Sequence, residues 1–400
     1  MKYIVVLTDG AADYKIEALS GKTVYEKADI PNMDEFARCG KLYMVKTVPD
    51  GFKPGSDVAN LSVMGFSPKK CYTGRSPLEA ASVGVPLTDD DMCFRANLVT
   101  LSDEEDYSEK TMLDYSSGEI STGEAALLIE AVDDALKTDK IRFFAGTSYR
   151  HIMRWTTDER KFNLTPPHDI SDKVVGQYLP DNEVILDIMK KSEKILKDHP
   201  VNKKRIAEGK NPATSLWVWG EGTRPALSHF YDTYGKKGAV ISAVDLIKGI
   251  AECADMKVYP VDGITGTVHT NYDGKAEAAI KALNEGNDLI YIHLEGPDEC
   301  GHQGDLEGKV RAVSLIDEKI IAPIRKAMED AGEEYRFLIM PDHPTPVSIK
   351  THVSDPVPAV IYESGKNYAT GASAFSEDEA ERYGEFIEEG YEIMSRLLSL

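Results

Sequence analysis

Positive charge is in short supply in this 400-residue chain: 46 Lys plus Arg face 67 Asp plus Glu, a formal net charge of −21. Nucleic acids and anionic membrane surfaces demand positive potential, so neither is expected as a partner. A small anionic substrate stays open, provided that Arg, Lys or metal ions gather locally. Cysteine is equally sparse. Cys39, Cys71, Cys93, Cys253 and Cys300 are odd in number and form no C-x-x-C pair. That argues against a disulfide framework and fits reduced, mostly buried thiols in a cytoplasmic protein. Long apolar runs are missing as well: "MKYIVVLTDG" is too short for a signal peptide and reads as a first strand, and nothing approaches transmembrane length. There is no low-complexity tract and no internal repeat at periods of roughly 20–50 residues.

What is present is ordinary for a globular chain: 42% hydrophobic and 28% charged residues, with 31 glycines and 20 prolines. The length suffices for a large core and suggests about two domains. Short Val- and Ile-rich runs read as buried strands at 3–8, 238–243, 288–294, 336–341 and 358–362. Helical patterns lie between most of them, as in "IPNMDEFARCG" and "KAEAAIKALNEG". Such alternation predicts an α/β fold with a largely parallel sheet flanked by helices. From about 90 to 220 the pattern changes. "CFRANLVTL", "IRFFAG" and "YRHIMRWTT" alternate polar and apolar residues, and the stretch holds all three tryptophans, Trp155, Trp217 and Trp219. An inserted antiparallel α+β unit is expected there. The C-terminal "SEDEAERYGEFIEEGYEIMSRLL" reads as one acidic amphipathic helix.

"GPDECGHQGD" (296–305) places Asp298 and His302 four apart, around Gly301. On a helix the two share a face, a workable grip for one cation. Alone, such a pair reads as a surface salt link or a helix cap. In an open α/β sheet, however, ligands sit outside the carboxyl ends of the strands. Asp9 follows the first strand, Asp298 and His302 follow "DLIYIHL", Asp342 and His343 follow "RFLIMP", and His352 comes nine residues later. Taken singly, Asp9 reads as a helix cap, His343 as a carbonyl partner and His352 as a surface residue. Together they bring three carboxylates and three imidazoles to one rim. That oxygen and nitrogen donor set suits two divalent ions, such as Mn²⁺, Zn²⁺ or Mg²⁺. A pair of this kind clamps the attacking and leaving oxygens in phosphoryl displacement. Ser56, in "KPGSDVANLSVMGF", opens a helix. It reads either as an N-cap or as a nucleophile facing unpaired N–H groups.

"LTDGAAD", "PGSDVANLSVMGFSPKKCYTGRSPLEAASVGV", "FRANLVT", "YRHIM", "PPHDI", "GPDECGHQGD", "PDHPTP" and "HVSDPVP" follow in this order. So arranged, they resemble the archaeal-type branch of the cofactor-independent phosphoglycerate mutases, essentially end to end. The resemblance implies the alkaline-phosphatase-like fold, with 1–88 and 222–400 as the metal-binding domain and 89–221 as an inserted lid. It implies that Asp298, His302 and His352 hold one ion, and that Asp9, Ser56, Asp342 and His343 hold the other. Mn²⁺ is the foremost candidate, with Zn²⁺, Co²⁺ or Mg²⁺ as alternatives. Ser56 would be transiently phosphorylated while phosphate moves between the 3- and 2-hydroxyls of glycerate. Arg95, Arg150, His151 and His168 would receive substrate in the lid, and Lys248 would neutralise phosphate. Where many archaeal members carry a basic segment resembling "DRRAGRI", this chain has "DYSSGEI", so Tyr115, Ser116 and Glu119 replace three cationic positions. Competing expectations are a phosphopentomutase or a plain metal-dependent phosphatase on the same scaffold, and a non-catalytic metal-binding descendant.

Overall fold

The structure, a computed structural model, describes residues 1–399. It divides into two compact units, Met1–Tyr72 with Ala226–Leu400, and Thr73–Pro225.

The first unit is built on an eight-stranded sheet. Its order is Glu385–Ile387, Lys41–Val45, Val357–Glu363, Tyr335–Met340, Lys2–Thr8, Leu289–Leu294, Gly238–Ile241, Lys257–Val258. All neighbours run parallel except Val357–Glu363, which is antiparallel to both strands beside it. The central strands are continuous apolar runs because both faces are covered. Ile4, Val5, Val6 and Leu7 are fully buried, as are Ile290, Ile292, Leu338 and Ile339. Each such side chain contributes ~1.5–3 kcal/mol over an exposed position. Pro31 opens the helix Pro31–Cys39, and the pattern at 275–286 becomes the helix Tyr272–Asn284, capped by Asn271.

The C-terminal segment departs from the expected single helix. It forms the helix Glu377–Tyr383, the edge strand Glu385–Ile387 and a second helix from Glu392. The first helix stops at Gly384, whose backbone is extended, and the next residues pair in register with Tyr43, Met44 and Val45. Sheet hydrogen bonds outweigh helical periodicity here.

In the second unit, Asp91–Leu101 is the hub of an antiparallel sheet, paired with Met112–Asp114, Arg150–Thr156 and Ser215–Thr223. The strand Ile141–Phe144 pairs with Arg150–Thr156. The helices Thr122–Leu136 and Glu183–Lys197, capped by Ser121 and Asn182, add Leu128, Ile129, Ile188 and Met189 to a core shared with Phe94, Trp155 and Trp217. The unit takes in 73–88 and 222–225, which the expected boundaries gave to the other domain. The cause is local packing. Ser76 Oγ donates to the Cys93 carbonyl, and Gly222 lies so close to Pro77 that a Cβ would come within 2.7 Å of its ring.

Candidate metal centre

Three parallel strands end side by side, with Thr8 opposite Leu294 and Leu7 opposite Met340. The residues that follow, Asp9, Glu295 and Asp342, therefore emerge at one edge. Asp9 N–H donates to the Leu294 carbonyl at 3.0 Å. Gly10 N–H donates to Asp342 Oδ1 at 3.2 Å, and His343 N–H donates to the same oxygen at 2.9 Å. Gly10 has a φ of +64°, and a Cβ there would lie 2.6 Å from Asp298 Oδ1, so only glycine lets the Asp298 helix approach.

That helix, Gly296–Gln303, carries Asp298 and His302 on one face, with His302 Nε2 3.3 Å from Asp298 Oδ2. Gly301, between them, rests on the Thr345 carbonyl, where a Cβ would meet oxygen at 2.4 Å. His352 completes this side: its Nε2 lies 3.4 Å from Asp298 Oδ1 and 2.9 Å from His302 Nε2. On the other side His343 Nε2 stands 3.4 Å from Asp342 Oδ2, 3.7 Å from Asp9 Oδ1 and 3.2 Å from Ser56 Oγ. Of three donor triads among the described residues, two share His343: Asp298 with His343 and His352, and Asp9 with Asp342 and His343; the third is Asp9 with His293 and Glu295.

Ser56 is the first residue of the helix Ser56–Val63, and Gly55 occupies the capping position. Its hydroxyl is thus not spent on capping. Asn60, one turn on, donates to the Ser56 carbonyl and to Asp342 Oδ2, both at 2.8 Å, and accepts from the Tyr291 hydroxyl at 2.6 Å. This fully buried amide ties the serine helix to the end of the Tyr335–Met340 strand.

The ring tautomers follow from the neighbours. His302 Nδ1 lies 3.0 Å from the Lys350 carbonyl, which can only accept, so Nδ1 carries the proton and Nε2 offers a lone pair. Thr345 Oγ1 donates to Asp298 Oδ1 and so accepts from His343 Nδ1 at 3.3 Å, which leaves the lone pair of His343 on Nε2. The lone pairs of His302 and His343 therefore face the carboxylates of Asp298 and Asp342. Asp9 Oδ1 is buried without a hydrogen-bond partner among the described residues. Burial, and then the charges of Asp342 and Asp298, push the Asp9 carboxyl well above its ordinary value. Burial opposes ionisation of Asp298, whereas positive charge on the imidazoles beside it, His302 and His352, would hold its carboxyl below the usual range. Desolvation likewise lowers His343. Crowded buried carboxylates with inward-facing imidazole lone pairs fit divalent cations.

Four residues of this centre carried no weight in the sequence reading: Asn60, Thr345, His293 and Glu295. His293 was visible as one polar residue inside an apolar strand, and it places Nε2 3.0 Å from Asp9 Oδ2.

The expected substrate residues fall elsewhere, in the second unit, except Lys248. Arg95 pairs with Glu79 at 2.9 Å and lies over the Trp219 ring at 4.4 Å. Trp219 stacks edge-on against His168, His168 against Tyr115, and Tyr115 against Tyr149, whose ring faces Arg150. Tyr115, from the "DYSSGEI" departure, thus belongs to one aromatic and cationic row. His151 is buried, accepts from Gly146 N–H at 3.0 Å and is pushed down to about 3 by desolvation, which keeps it neutral. Lys248 is engaged with Asp245 at 2.8 Å.

A mostly parallel sheet with a serine, imidazoles and carboxylates converging beyond its strand ends is the alkaline-phosphatase-like fold, here with groups of residues able to hold a divalent metal. The family model of 2,3-bisphosphoglycerate-independent phosphoglycerate mutase matches residues 37–202. The chain is 45% identical to a probable 2,3-bisphosphoglycerate-independent phosphoglycerate mutase of Geobacter sulfurreducens, over 100% of both chains. It is 48% identical to the 2,3-bisphosphoglycerate-independent phosphoglycerate mutase of Methanosarcina mazei, over 94% of each. The PH0037 protein of Pyrococcus horikoshii superposes with a TM-score of 0.82 at 27% identity, covering 99% of this chain and 97% of that one. The cofactor-independent phosphoglycerate mutase of Thermoplasma acidophilum shares the fold, with a TM-score of 0.68 at 24% identity over 100% and 99%. The chain belongs to the 2,3-bisphosphoglycerate-independent phosphoglycerate mutase family, and is an isomerase.

Proposed function

We propose that the chain interconverts 3-phosphoglycerate and 2-phosphoglycerate, with Ser56 Oγ carrying the phosphoryl group between the two hydroxyls. The observation behind this is the position of Ser56 Oγ, 3.2 Å from a His343 Nε2 that also faces Asp9 and Asp342. Asp298, His302 and His352 would hold one divalent ion, and Asp9, Ser56, Asp342 and His343 the other. Such ions, Mn²⁺ foremost, neutralise phosphoryl oxygens and ease ionisation of the serine hydroxyl.

Ser56 Oγ attacks phosphorus in line as the bond from phosphorus to the 3-oxygen breaks, and the serine proton ends on the freed 3-hydroxyl. The glycerate then turns. Its 2-hydroxyl attacks the phosphoserine, and Ser56 Oγ takes back a proton. Asn60 holds the serine helix to Asp342 throughout. Arg95, Arg150 and His168 are proposed to receive the substrate's carboxylate and phosphate. His151, whose Nδ1 accepts, offers an Nε2 proton with no partner among the described residues.

The test is turnover of 3-phosphoglycerate by manganese-loaded protein, coupled to enolase and run without 2,3-bisphosphoglycerate. Appearance of 2-phosphoglycerate supports the reading. Release of free phosphate alone would make the chain a hydrolase.

A further inference from the structure

In a chain of net charge −21, the second unit brings Arg75 and Arg150 within electrostatic reach of Arg95. A carboxylate is set between two of these arginines. Glu79 Oε1 lies 2.8 Å from Arg75 Nε, and Glu79 Oε2 lies 2.9 Å from Arg95 Nε. Two guanidinium groups that share one carboxylate keep a net positive charge, as a receiver of anions requires. The Glu79 and Arg95 side chains are only 15% and 11% exposed, so solvent screens this pair far less than a surface one.

Arg95 is gripped from two directions. It stands directly across the sheet from Trp219, with its guanidinium 4.4 Å from the centre of that ring. Glu79 meets it at Nε, an ion pair by proximity, since the buried Nε–H makes no aligned hydrogen bond among the described residues. Contact at Nε leaves the terminal Nη1 and Nη2 groups to fork onto a carboxylate or phosphate. The helix that carries Glu79, Ser76–Ser82, owes its place to other contacts. Ser76 Oγ donates to the Cys93 carbonyl at 3.0 Å, and Ala80 packs with Val85, Cys93 and Ile152. Ile152 pairs with Arg95 across the strands, so the same packing brings Glu79 to the guanidinium. A carboxylate that the helix does not need, beside an arginine meant for anions, repels the substrate unless it does something else.

We propose that Glu79 is a positioning residue, which holds Arg95 against Trp219 so that the terminal guanidinium nitrogens are presented to the substrate's anionic group. Without it the long side chain would sample several rotamers, and ordering it at each binding event would weaken affinity. The inference rests on the proposed role of Arg95 as a receiver of substrate.

The experiment is steady-state kinetics on full-length, manganese-loaded Glu79→Gln, Arg95→Gln and the double variant. 3-Phosphoglycerate is varied, 2-phosphoglycerate and free phosphate are both recorded, and melting temperatures are taken alongside. The sign of the change decides. Glu79→Gln deletes a negative charge near an anion, so charge alone would lower KM. Positioning predicts instead a KM raised about tenfold with kcat within about twofold of native, and no further rise when the change is added to Arg95→Gln. A KM unchanged or lowered in Glu79→Gln, while Arg95→Gln raises it, would overturn the positioning role and leave Arg95 as a receiver. A rise that adds in full to that of Arg95→Gln would show that Glu79 does not act through Arg95, and would overturn the proposal too. An unchanged KM in Arg95→Gln would remove Arg95 from substrate binding and this inference with it. If Arg95→Gln fails to fold, Arg95→Lys takes its place in the cycle.

Discussion

Ser56 lies in the first turn of its helix with Gly55 in the capping position, so its hydroxyl owes nothing to the backbone and turns to His343 Nε2. Ser56→Ala is therefore expected to abolish turnover, by at least ~10³-fold, while unfolding free energy stays within about 0.5 kcal/mol of native. Calorimetry and the enolase-coupled rate check both halves. A second residue carries a pH signature. Glu377 accepts from Asp13 N–H and from Thr23 Oγ1, and desolvation pushes its carboxyl up to about 7. Its folded pKa exceeds the unfolded one, so ionisation favours unfolding. The penalty is absent below about pH 4.3 and grows as pH rises toward 7. Glu377→Gln should accordingly stabilise the protein at pH 8, by ~1–3 kcal/mol, and lose that advantage by pH 4. A gap independent of pH in denaturant titrations would contradict it. Asp9, Asp298, His302, Asp342, His343 and His352 were legible in the sequence because acids and imidazoles right after apolar strands have few other reasons to be there. Asn60 and Thr345 were not, since a residue that works by hydrogen bonding to another side chain looks like any other polar residue until its neighbours are known.

At the scale of elements, the helix Gly296–Gln303 is placed by a close backbone contact as well as by its buried Pro297 and Cys300. Gly301 touches the Thr345 carbonyl, and Thr345 Oγ1 in turn bonds Asp298 and His343. Gly301→Ala would push backbone against backbone and move Asp298 and His302 together. The expected consequence is a ~10–100-fold weaker metal affinity with the helix intact, measured by manganese titration. Unchanged affinity would show that the helix tolerates the shift. The spacing of Asp298 and His302 foretold the helix, and the apolar runs foretold the central strands, because both signals are local. The C-terminal segment misled for the converse reason: its helical period is real, but pairing of Glu385–Ile387 with Lys41–Val45 is a contact across some 340 residues that no local pattern encodes. The same holds for Ser76 and Pro77, whose partners Cys93 and Gly222 drew 73–88 into the second unit.

For the whole molecule, alternation of strand and helix was enough to anticipate the mostly parallel sheet. The order of its strands was not, because strand pairing is fixed by long-range contacts. The net charge of −21 finds its sharpest local expression in Asp9, Asp298 and Asp342, which repel one another beyond the strand ends. Removing metal should therefore destabilise the fold. At metal concentrations near 100-fold the dissociation constant, binding contributes about 2.7 kcal/mol, so exhaustive chelation is expected to lower the melting temperature by roughly 5 °C or more. Manganese should restore it, and a melting curve indifferent to chelator would contradict a cation-filled centre.

Everything in this account depends on one serine oxygen becoming, for a moment, a phosphate ester. The direct measurement is to mix manganese-loaded protein with phosphorus-labelled 3-phosphoglycerate, quench in acid within the first turnovers and map the label by peptide mass spectrometry. Label on Ser56 that is discharged to 2-phosphoglycerate on chasing with unlabelled substrate is the predicted result. Turnover with Ser56 unlabelled, or undiminished in the Ser56→Ala variant, would contradict it.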